Sequence, residues 1–168
     1  MTKSLIAYYS RKGQNYVNGR IIDLAVGNTE VIAKKIQAIT GSDIFEIETI
    51  KEYPIDYTAT TRVAKAELNA DARPELTDCV DNMNEYDTIY LGYPNWWGTF
   101  PMAVFTFLES YDFSGKTIIP FCTHEGSGMG GHSDISMLCP DAKIEKGIAI
   151  KGSSVHSADY LLQNWLNK

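Results

Sequence analysis

The sequence has few cysteines and no arrangement of them that suggests a cross-linked or zinc-bound fold. Cys79, Cys122 and Cys139 are odd in number and lie outside CxxC spacing. A disulfide framework or a zinc cluster usually needs paired, closely spaced cysteines, so we expect these residues to be buried thiols.

An excess of positive charge is also missing. Fifteen Lys and Arg residues stand against 21 Asp and Glu, and the net charge is −6. Nucleic acids and anionic membranes attract basic surfaces, so we expect neither as a partner, whereas a basic protein surface stays open. Long apolar runs of about 18 to 20 residues and a leader-like start are absent too, and this predicts a cytoplasmic protein.

Several catalytic signatures are lacking as well. The chain contains no GxxxxGK[ST] phosphate loop and no HExxH zinc motif, since His124 and Glu125 are followed by His132 at the wrong spacing. Ser127 lies in EGSGM rather than in the GxSxG motif of hydrolases. A phospho-receiver domain is disfavoured because the first and third predicted strands end in Ser10 and in Tyr93-Pro94.

Short apolar runs alternate with segments of helical periodicity along the chain. The runs predict strands at 4–9, 43–50, 87–93, 116–123 and 142–150, and the periodic segments predict helices at 28–40, 56–70, 101–111, 132–138 and 157–166. Asn28 or Thr29 is the predicted cap of the first helix and Gly41 its end. This alternation predicts an α/β fold with a parallel sheet, within a single domain spanning residues 1–168.

Ligands of parallel α/β sheets bind beyond the carboxyl ends of the strands, so the loops there are the candidate sites. The loop after the first strand contains Ser10 and Lys12 and reaches a helix start at Asn28, Thr29 and Glu30. Backbone amides at a helix start bind phosphate, although an ordinary capped helix is an equal alternative. The loop after the fourth strand carries glycine-rich sequence that suits a backbone amide cradle or, alternatively, a turn. Its candidate residues are Thr123, His124, Glu125, Gly126, Ser127, Gly128 and Gly130.

The loop after the third strand contains the adjacent Trp96 and Trp97, flanked by Pro94, Asn95 and Gly98. Two neighbouring residues outside a regular period cannot both pack in the core, so at least one indole is expected to meet a ligand or a partner. An indole face suits stacking on a planar ring. Together the three loops describe a mononucleotide-like ligand with a flat head group.

With these motifs the sequence resembles the flavodoxins and similar small FMN-binding proteins. The resemblance rests on segments that include "LIAYYS", "GNTEVIAKKI", "YDTIYLGYPNWWGTFP" and "GKTIIPFCTHEGSGMGG". It implies a flavodoxin-like three-layer sandwich with a five-stranded parallel sheet of order 2-1-3-4-5. It also implies that Ser10, Asn28 and Thr29 hold the FMN phosphate with Lys12 nearby, that residues 94–98 line the isoalloxazine ring, and that residues 123–130 contact its pyrimidine edge.

One feature departs from the family pattern. Sixteen residues, 11–26, separate Ser10 from the Gly27-Asn28-Thr29 segment, where the family has about two. We interpret residues 14–26 as an inserted loop that folds over the surface near the phosphate. Lengthening a loop costs little closure entropy, and Asn18 or Gly19 is an alternative to Arg11, Lys12 and Gly13 as a cofactor contact.

The resemblance implies a redox protein that transfers electrons through a non-covalently bound FMN. The expected partners are redox proteins or small electron acceptors, and no side chain is expected to act as an obligatory nucleophile or proton donor. The alternative is an NAD(P)H-dependent quinone or flavin oxidoreductase that uses bound FMN. A flavin-free binding module is a third hypothesis.

Overall fold

Strands and helices alternate along the chain in a computed structural model of the protein, of which we describe residues 3–168. The strands are β1 (Ser4–Tyr8), β2 (Gly13–Val17), β3 (Arg20–Leu24), β4 (Asp43–Glu46), β5 (Thr88–Pro94), β6 (Thr117–His124), β7 (Lys143–Ile144) and β8 (Ile148–Lys151). The helices are α1 (Asn28–Thr40), α2 (Tyr57–Asn69), α3 (Met102–Glu109), α4 (His132–Leu138) and α5 (Asp159–Leu166). Short 3₁₀ helices cover Met83–Glu85 and Gly152–Ser157.

The central sheet has the order β4-β1-β5-β6, and both β7 and β8 pair with β6. Every pairing in this sheet is parallel. The predicted α/β fold is therefore confirmed, and the predicted order 2-1-3-4-5 holds when β7 and β8 count as one interrupted strand.

The prediction of one continuous strand at 142–150 is wrong, and Gly147 gives the physical reason. Its φ of +74° lies in the left-handed region, and a Cβ at this position would collide with the carbonyl oxygen of Pro120. The chain turns at Gly147 to pass the neighbouring strand, so the pairing with β6 is interrupted between β7 and β8.

Some helix and strand boundaries agree with the sequence patterns and others do not. The bounds of α1 and α4 are as predicted, and Gly41 ends α1 with a φ of 68°. The N-cap of α1 is Gly27 rather than Asn28 or Thr29. The predicted strand at 43–50 ends at Glu46, because the chain after Ile47 leaves the sheet and Thr49 bridges to Leu76.

The sequence patterns assign no secondary structure to residues 14–26. In the structure these residues contain most of a β-hairpin. Strands β2 and β3 pair antiparallel as a separate two-stranded sheet. Asn18 and Gly19 form its turn with φ values of 52° and 80°. An Asn-Gly pair with positive φ at both positions is typical of a two-residue hairpin turn.

Helices cover both faces of the sheet and bury one core on each. Leu5 and Ala7 of β1 point into a core shared with α3 and α4, and Ile6 and Tyr8 point into a core shared with α1 and α5. Cys122 and Cys139 are buried as expected, but Cys79 is exposed. In residues 3–168, no helix combines the length and the apolarity needed to cross a bilayer.

Candidate functional site

Two adjoining cavities lie at the carboxyl ends of β1, β5 and β6. The first, of about 220 Å³, we call the polar cavity, and the second, of about 290 Å³, the aromatic cavity. Both are lined by Arg11, Asn15, Tyr57, Asn95 and Trp96. The polar cavity is further lined by Tyr16, Asn28, Thr29, Pro94, Thr123, His124, Glu125 and Ser127. The aromatic cavity is further lined by Thr60, Thr61, Ala64 and Trp97.

The first turn of α1 forms one end of the polar cavity. Asn28 and Thr29 line it, and amides in a first helical turn have no intrahelical acceptor. The amide of Glu30 donates instead to Ser10 Oγ at 3.1 Å. The positive end of the helix dipole therefore faces the polar cavity and favours an anion there.

The residues that the sequence predicts around one phosphate line two different cavities in the structure. Ser10, Lys12 and Glu30 line a neighbouring cavity together with Glu46 and Glu48. Burial raises the pKa of Glu46, and the nearby Glu48 and Glu30 raise it further. Negative charge repels a phosphate. Four Glu residues, with Arg11 and Lys12, line that neighbouring cavity, whereas Glu125 and Arg11 line the polar cavity, so the polar cavity is the better anion site of the two.

A buried hydrogen bond joins the first and third predicted loops. The hydroxyl groups of Thr29 and Thr123 lie 2.7 Å apart, and both residues are buried. The amide of Asn95, in the second loop, donates to the carbonyl oxygen of Thr123 at 2.9 Å. The three loops named from the sequence therefore meet at one edge of the sheet.

The two adjacent tryptophans have different environments. Trp96 is half-buried, and its ring lies 5.3 Å from the rings of Tyr9 and Tyr53 in edge-on contacts. Trp97 is 53% exposed, and its Nε1 donates to the carbonyl oxygen of Thr61 at 3.0 Å. Lys65 Nζ lies 4.9 Å from the centre of the Trp97 ring. Trp96 thus packs against the core, while Trp97 forms an outer wall of the aromatic cavity.

Gly128 and Gly130 of the third loop contact the second loop. Gly128 accepts a hydrogen bond from Asn95 Nδ2 at 3.0 Å through its carbonyl oxygen, and Asn95 Oδ1 accepts one from the Gly98 amide at 2.9 Å. A Cβ on Gly130 would collide with the Gly98 carbonyl group and the Asn95 side chain. The close contact between the two loops therefore requires glycine at position 130.

His124 presents a defined tautomer at the polar cavity. Its Nδ1 accepts a hydrogen bond from the Gly126 amide at 2.9 Å, so the neutral ring carries its proton on Nε2. Burial lowers the pKa of His124, and Lys151 lowers it further, against the opposing effect of Glu125. His124 is therefore a neutral hydrogen-bond donor over a wider pH range than an exposed histidine.

The sequence patterns did not predict that the hairpin and α2 line the two cavities. Asn15 and Tyr16 of β2 line the polar cavity, and Tyr57, Thr60 and Thr61 come from the start of α2. The rings of Tyr16 and Tyr57 stack with their centres 6.3 Å apart. The Asn-Gly turn was the available signal for the hairpin, whereas no local pattern marks the facing side of α2.

The lining fits a ligand with a phosphate at one end and a planar ring at the other. The polar cavity offers hydroxyl groups, amides and a helix start, and the aromatic cavity offers Tyr57, Trp96 and Trp97. FMN has this distribution of groups, so the residues present fit it. Within residues 3–168, no cluster of three or more His, Cys, Asp or Glu side chains is arranged to hold a metal ion.

Comparison with known proteins gives a consistent result. The flavodoxin family model matches residues 21–168. A candidate flavoprotein from Bacteroides uniformis ATCC 8492 is 28% identical, with a TM-score of 0.78 and coverage of 99% of both chains. One from Bacteroides eggerthii DSM 20697 is 26% identical, with a TM-score of 0.73 and coverage of 97% of this chain and 99% of that one.

A third structure shares the fold at lower identity. It is a flavoprotein in complex with FMN from Lactobacillus acidophilus NCFM, with 22% identity and a TM-score of 0.65. The match covers 94% of this chain and 98% of that chain. A comparison with curated proteins returns no match.

Proposed function

The chain belongs to the flavodoxin family, and we propose that it is an FMN-binding redox protein that transfers electrons through a non-covalently bound flavin. The observation that carries this proposal is the junction of a helix start and a tryptophan wall in two adjoining cavities at one sheet edge. The FMN complex of the Lactobacillus flavoprotein, which shares the fold, supports the choice of cofactor.

Each end of the paired cavities would hold a different part of the cofactor. Asn28 and Thr29 would hold the phosphate at the start of α1, assisted by Ser127 and by the neutral His124. Tyr57, Trp96 and Trp97 would bind the ring. When bound, FMN supplies one- and two-electron transfer, and the protein supplies its orientation and electrostatic surroundings.

Within residues 3–168, Arg11 is the cationic side chain that lines the polar cavity, and its contacts have a consequence for binding. Arg11 lines the polar cavity, but its Nη2 donates to the carbonyl oxygens of Pro54 and Ile55 at 3.1 and 2.9 Å. Neutral donors and the helix dipole would then dominate phosphate binding. FMN affinity should therefore depend only weakly on salt concentration, because few charges are paired in the complex.

A reductase is the second candidate, and the aromatic cavity favours it. This cavity extends beyond the polar cavity to Thr60, Thr61 and Ala64 on α2, and Trp97 closes its outer side. A planar acceptor such as a quinone would fit beside such a wall. The reaction would then be NAD(P)H-dependent reduction of a quinone or of free flavin by the FMN-loaded protein.

An anaerobic titration separates the two candidates. Purified protein loaded with FMN is titrated with NADH, NADPH and then dithionite while the flavin absorbance is recorded. An electron carrier responds to dithionite and remains oxidised with either nicotinamide, whereas a reductase is bleached by one of them at a rate above that of free FMN. Protein that retains no flavin after incubation with excess FMN would contradict both.

A further inference from the structure

Hydrogen bonds hold the hairpin at its base and at its tip. At the base, Gln14 Oε1 accepts a hydrogen bond from the Tyr57 amide at 2.8 Å. At the tip, the backbone amide of Asn18 donates to Glu125 Oε2 at 3.1 Å, and these residues lie 107 positions apart in the chain. Glu125 belongs to the loop that follows β6, and both Glu125 and Tyr16 of the hairpin line the polar cavity. The contact at the tip therefore ties the hairpin to the third loop beside that cavity.

The tip is the dipeptide Asn18-Gly19. Both residues are exposed, and their φ values are 52° and 80°. Within residues 3–168, neither the Asn18 side chain nor the Gly19 backbone amide makes a hydrogen bond. An asparagine side chain that precedes glycine is open to attack by the next backbone nitrogen, because glycine has no Cβ to block the approach. The tip therefore carries both reacting groups of an intramolecular cyclisation.

We propose that Asn18 is a site of spontaneous deamidation and that its contact with Glu125 controls the reaction. The Gly19 nitrogen loses its proton to solvent and bonds to the side-chain carbonyl carbon of Asn18, which forms a succinimide ring. The carbon–nitrogen bond of the side-chain amide breaks, and its nitrogen leaves as ammonia. Water then opens the ring at either of its carbonyl groups and yields aspartate or isoaspartate at position 18. The reaction consumes water and needs no oxidant or reductant.

The hydrogen bond to Glu125 slows this reaction because it holds the turn. Ring closure requires rotation about the Asn18 Cα–C bond, so that the Gly19 nitrogen can reach the side chain. The left-handed conformation of Asn18 and the hydrogen bond from its amide both oppose this rotation. Cyclisation therefore proceeds from the minor population in which the tip has left Glu125. Local opening of this kind requires less free energy than global unfolding.

Deamidation also changes the tip after it has occurred. The new carboxylate belongs to the residue whose backbone contacts Glu125, so two negative charges lie close together and repel each other. In isoaspartate the backbone also runs through the side chain and gains an additional carbon atom, which disrupts the two-residue turn. The product disfavours the closed hairpin. Deamidation is therefore an irreversible release of the hairpin from the third loop.

Mass spectrometry of tryptic peptides measures the deamidation rate of the flavin-free protein at mildly alkaline pH. Asn69 is the internal control, because it is also exposed but precedes Ala70, whose Cβ hinders the attack. We expect Asn18 to deamidate several-fold faster than Asn69. Glu125→Ala should speed the reaction at Asn18 about tenfold, since the hydrogen bond that holds the tip is lost. Glu125→Gln keeps an acceptor for the Asn18 amide and should stay near the wild-type rate.

Two results of this experiment would overturn the proposed site. One is a deamidation rate at Asn18 no higher than that at Asn69. The other is an unchanged rate at Asn18 in Glu125→Ala, which would show that the contact does not control the reaction.

Limited trypsin cleavage tests the release of the hairpin without waiting for deamidation. Arg20 is exposed just beyond the turn, so the rate of cleavage after Arg20 reports how often the hairpin opens. Asn18→Asp places the carboxylate of the product at the tip. Asn18→Gly is the matched control, because glycine also accepts a positive φ but adds no charge. We expect Asn18→Asp to be cleaved about fivefold faster than Asn18→Gly and the wild type, since the added charge faces Glu125.

A double variant assigns this effect to the pair of charges. Adding Glu125→Gln to Asn18→Asp removes the repulsion, so cleavage after Arg20 should return close to the wild-type rate. Equal cleavage of Asn18→Asp and Asn18→Gly, or a double variant cleaved as fast as Asn18→Asp alone, would contradict the release. Neither experiment contains a flavin, so its outcome is independent of the proposed function.

Discussion

At the scale of single residues, the buried hydroxyl pair of Thr29 and Thr123 holds α1 against the end of β6. Each hydroxyl group has the other as its partner at 2.7 Å, and water is excluded because both residues are buried. Thr29→Val or Thr123→Val leaves one hydroxyl unpaired, and we expect each to lower the free energy of unfolding by about 1 to 3 kcal/mol. Urea unfolding of the flavin-free protein measures this loss.

The double variant controls for the general effect of removing a hydroxyl group. Replacing both threonines with valine leaves no orphaned donor or acceptor, so its cost should be smaller than the sum of the single costs by about 1 kcal/mol or more. Strictly additive costs would show that the two hydroxyl groups do not interact.

His124 predicts a pH dependence of stability whose sign follows from its lowered pKa. In the folded protein, the pKa of His124 lies below its ordinary value of 6.5. As the pH falls through 6.5, His124 is therefore protonated in the unfolded chain before it is protonated in the folded protein. Stability should therefore be retained above about pH 6.5 and lost progressively below it. Thermal unfolding between pH 7.5 and 5.5 should show a smaller loss for His124→Gln than for the wild type. His156→Gln, at an exposed position, should behave as the wild type; equal pH profiles for all three proteins would contradict the assignment.

Residue-level predictions from the sequence succeeded where the local pattern was sufficient. The expectation that at most one of Trp96 and Trp97 packs in the core agrees with their environments, because a loop cannot point two neighbours in the same direction. The hydrogen-bond partner of Thr29 lies 94 positions away, and no local pattern encodes such a pair.

At the scale of elements, the interruption between β7 and β8 predicts that position 147 requires glycine. Gly147→Ala forces a Cβ into the Pro120 carbonyl oxygen at a positive φ, and we expect it to lower the free energy of unfolding by at least about 3 kcal/mol. Denaturant unfolding of the variant and the wild type measures the difference.

Gly115→Ala is the matched control for this substitution. Gly115 has a similar φ of +76°, but apart from its two chain neighbours no residue among 3–168 has an atom within 4 Å of an added Cβ, so only backbone strain of about 1 to 2 kcal/mol is expected. Equal losses at both positions would show that the collision with Pro120 does not matter.

The hairpin shows which elements a sequence reading can miss. Asn18-Gly19 lies between "GQNYV" and "RIIDL", and this Asn-Gly pair is a strong local signal for a two-residue turn. The strand composition is mixed, and the first four residues of β3 are exposed and include Ile21 and Ile22. The clear alternation that marks a half-buried strand is therefore lacking, although the turn itself was predictable.

At the scale of the whole molecule, the alternation of elements predicted the parallel sheet, and the resemblance to the flavodoxins implied its strand order. Right-handed crossovers leave few topologies for such a chain, and the carboxyl ends of β1, β5 and β6 bring three separated loops together. The walls from β2 and α2 could not be predicted in the same way. Their position depends on long-range anchors such as Tyr57 to Gln14 and Arg11 to Ile55.

The crystal structure of the protein grown with excess FMN is the most direct test of the central claim. We predict one FMN per chain, with its phosphate at the first turn of α1 beside Asn28 and Thr29 and its ring in the aromatic cavity against Trp96 and Trp97. A structure with both cavities free of FMN under these conditions, or with FMN bound at another surface, would contradict the claim that the three loops form a flavin site.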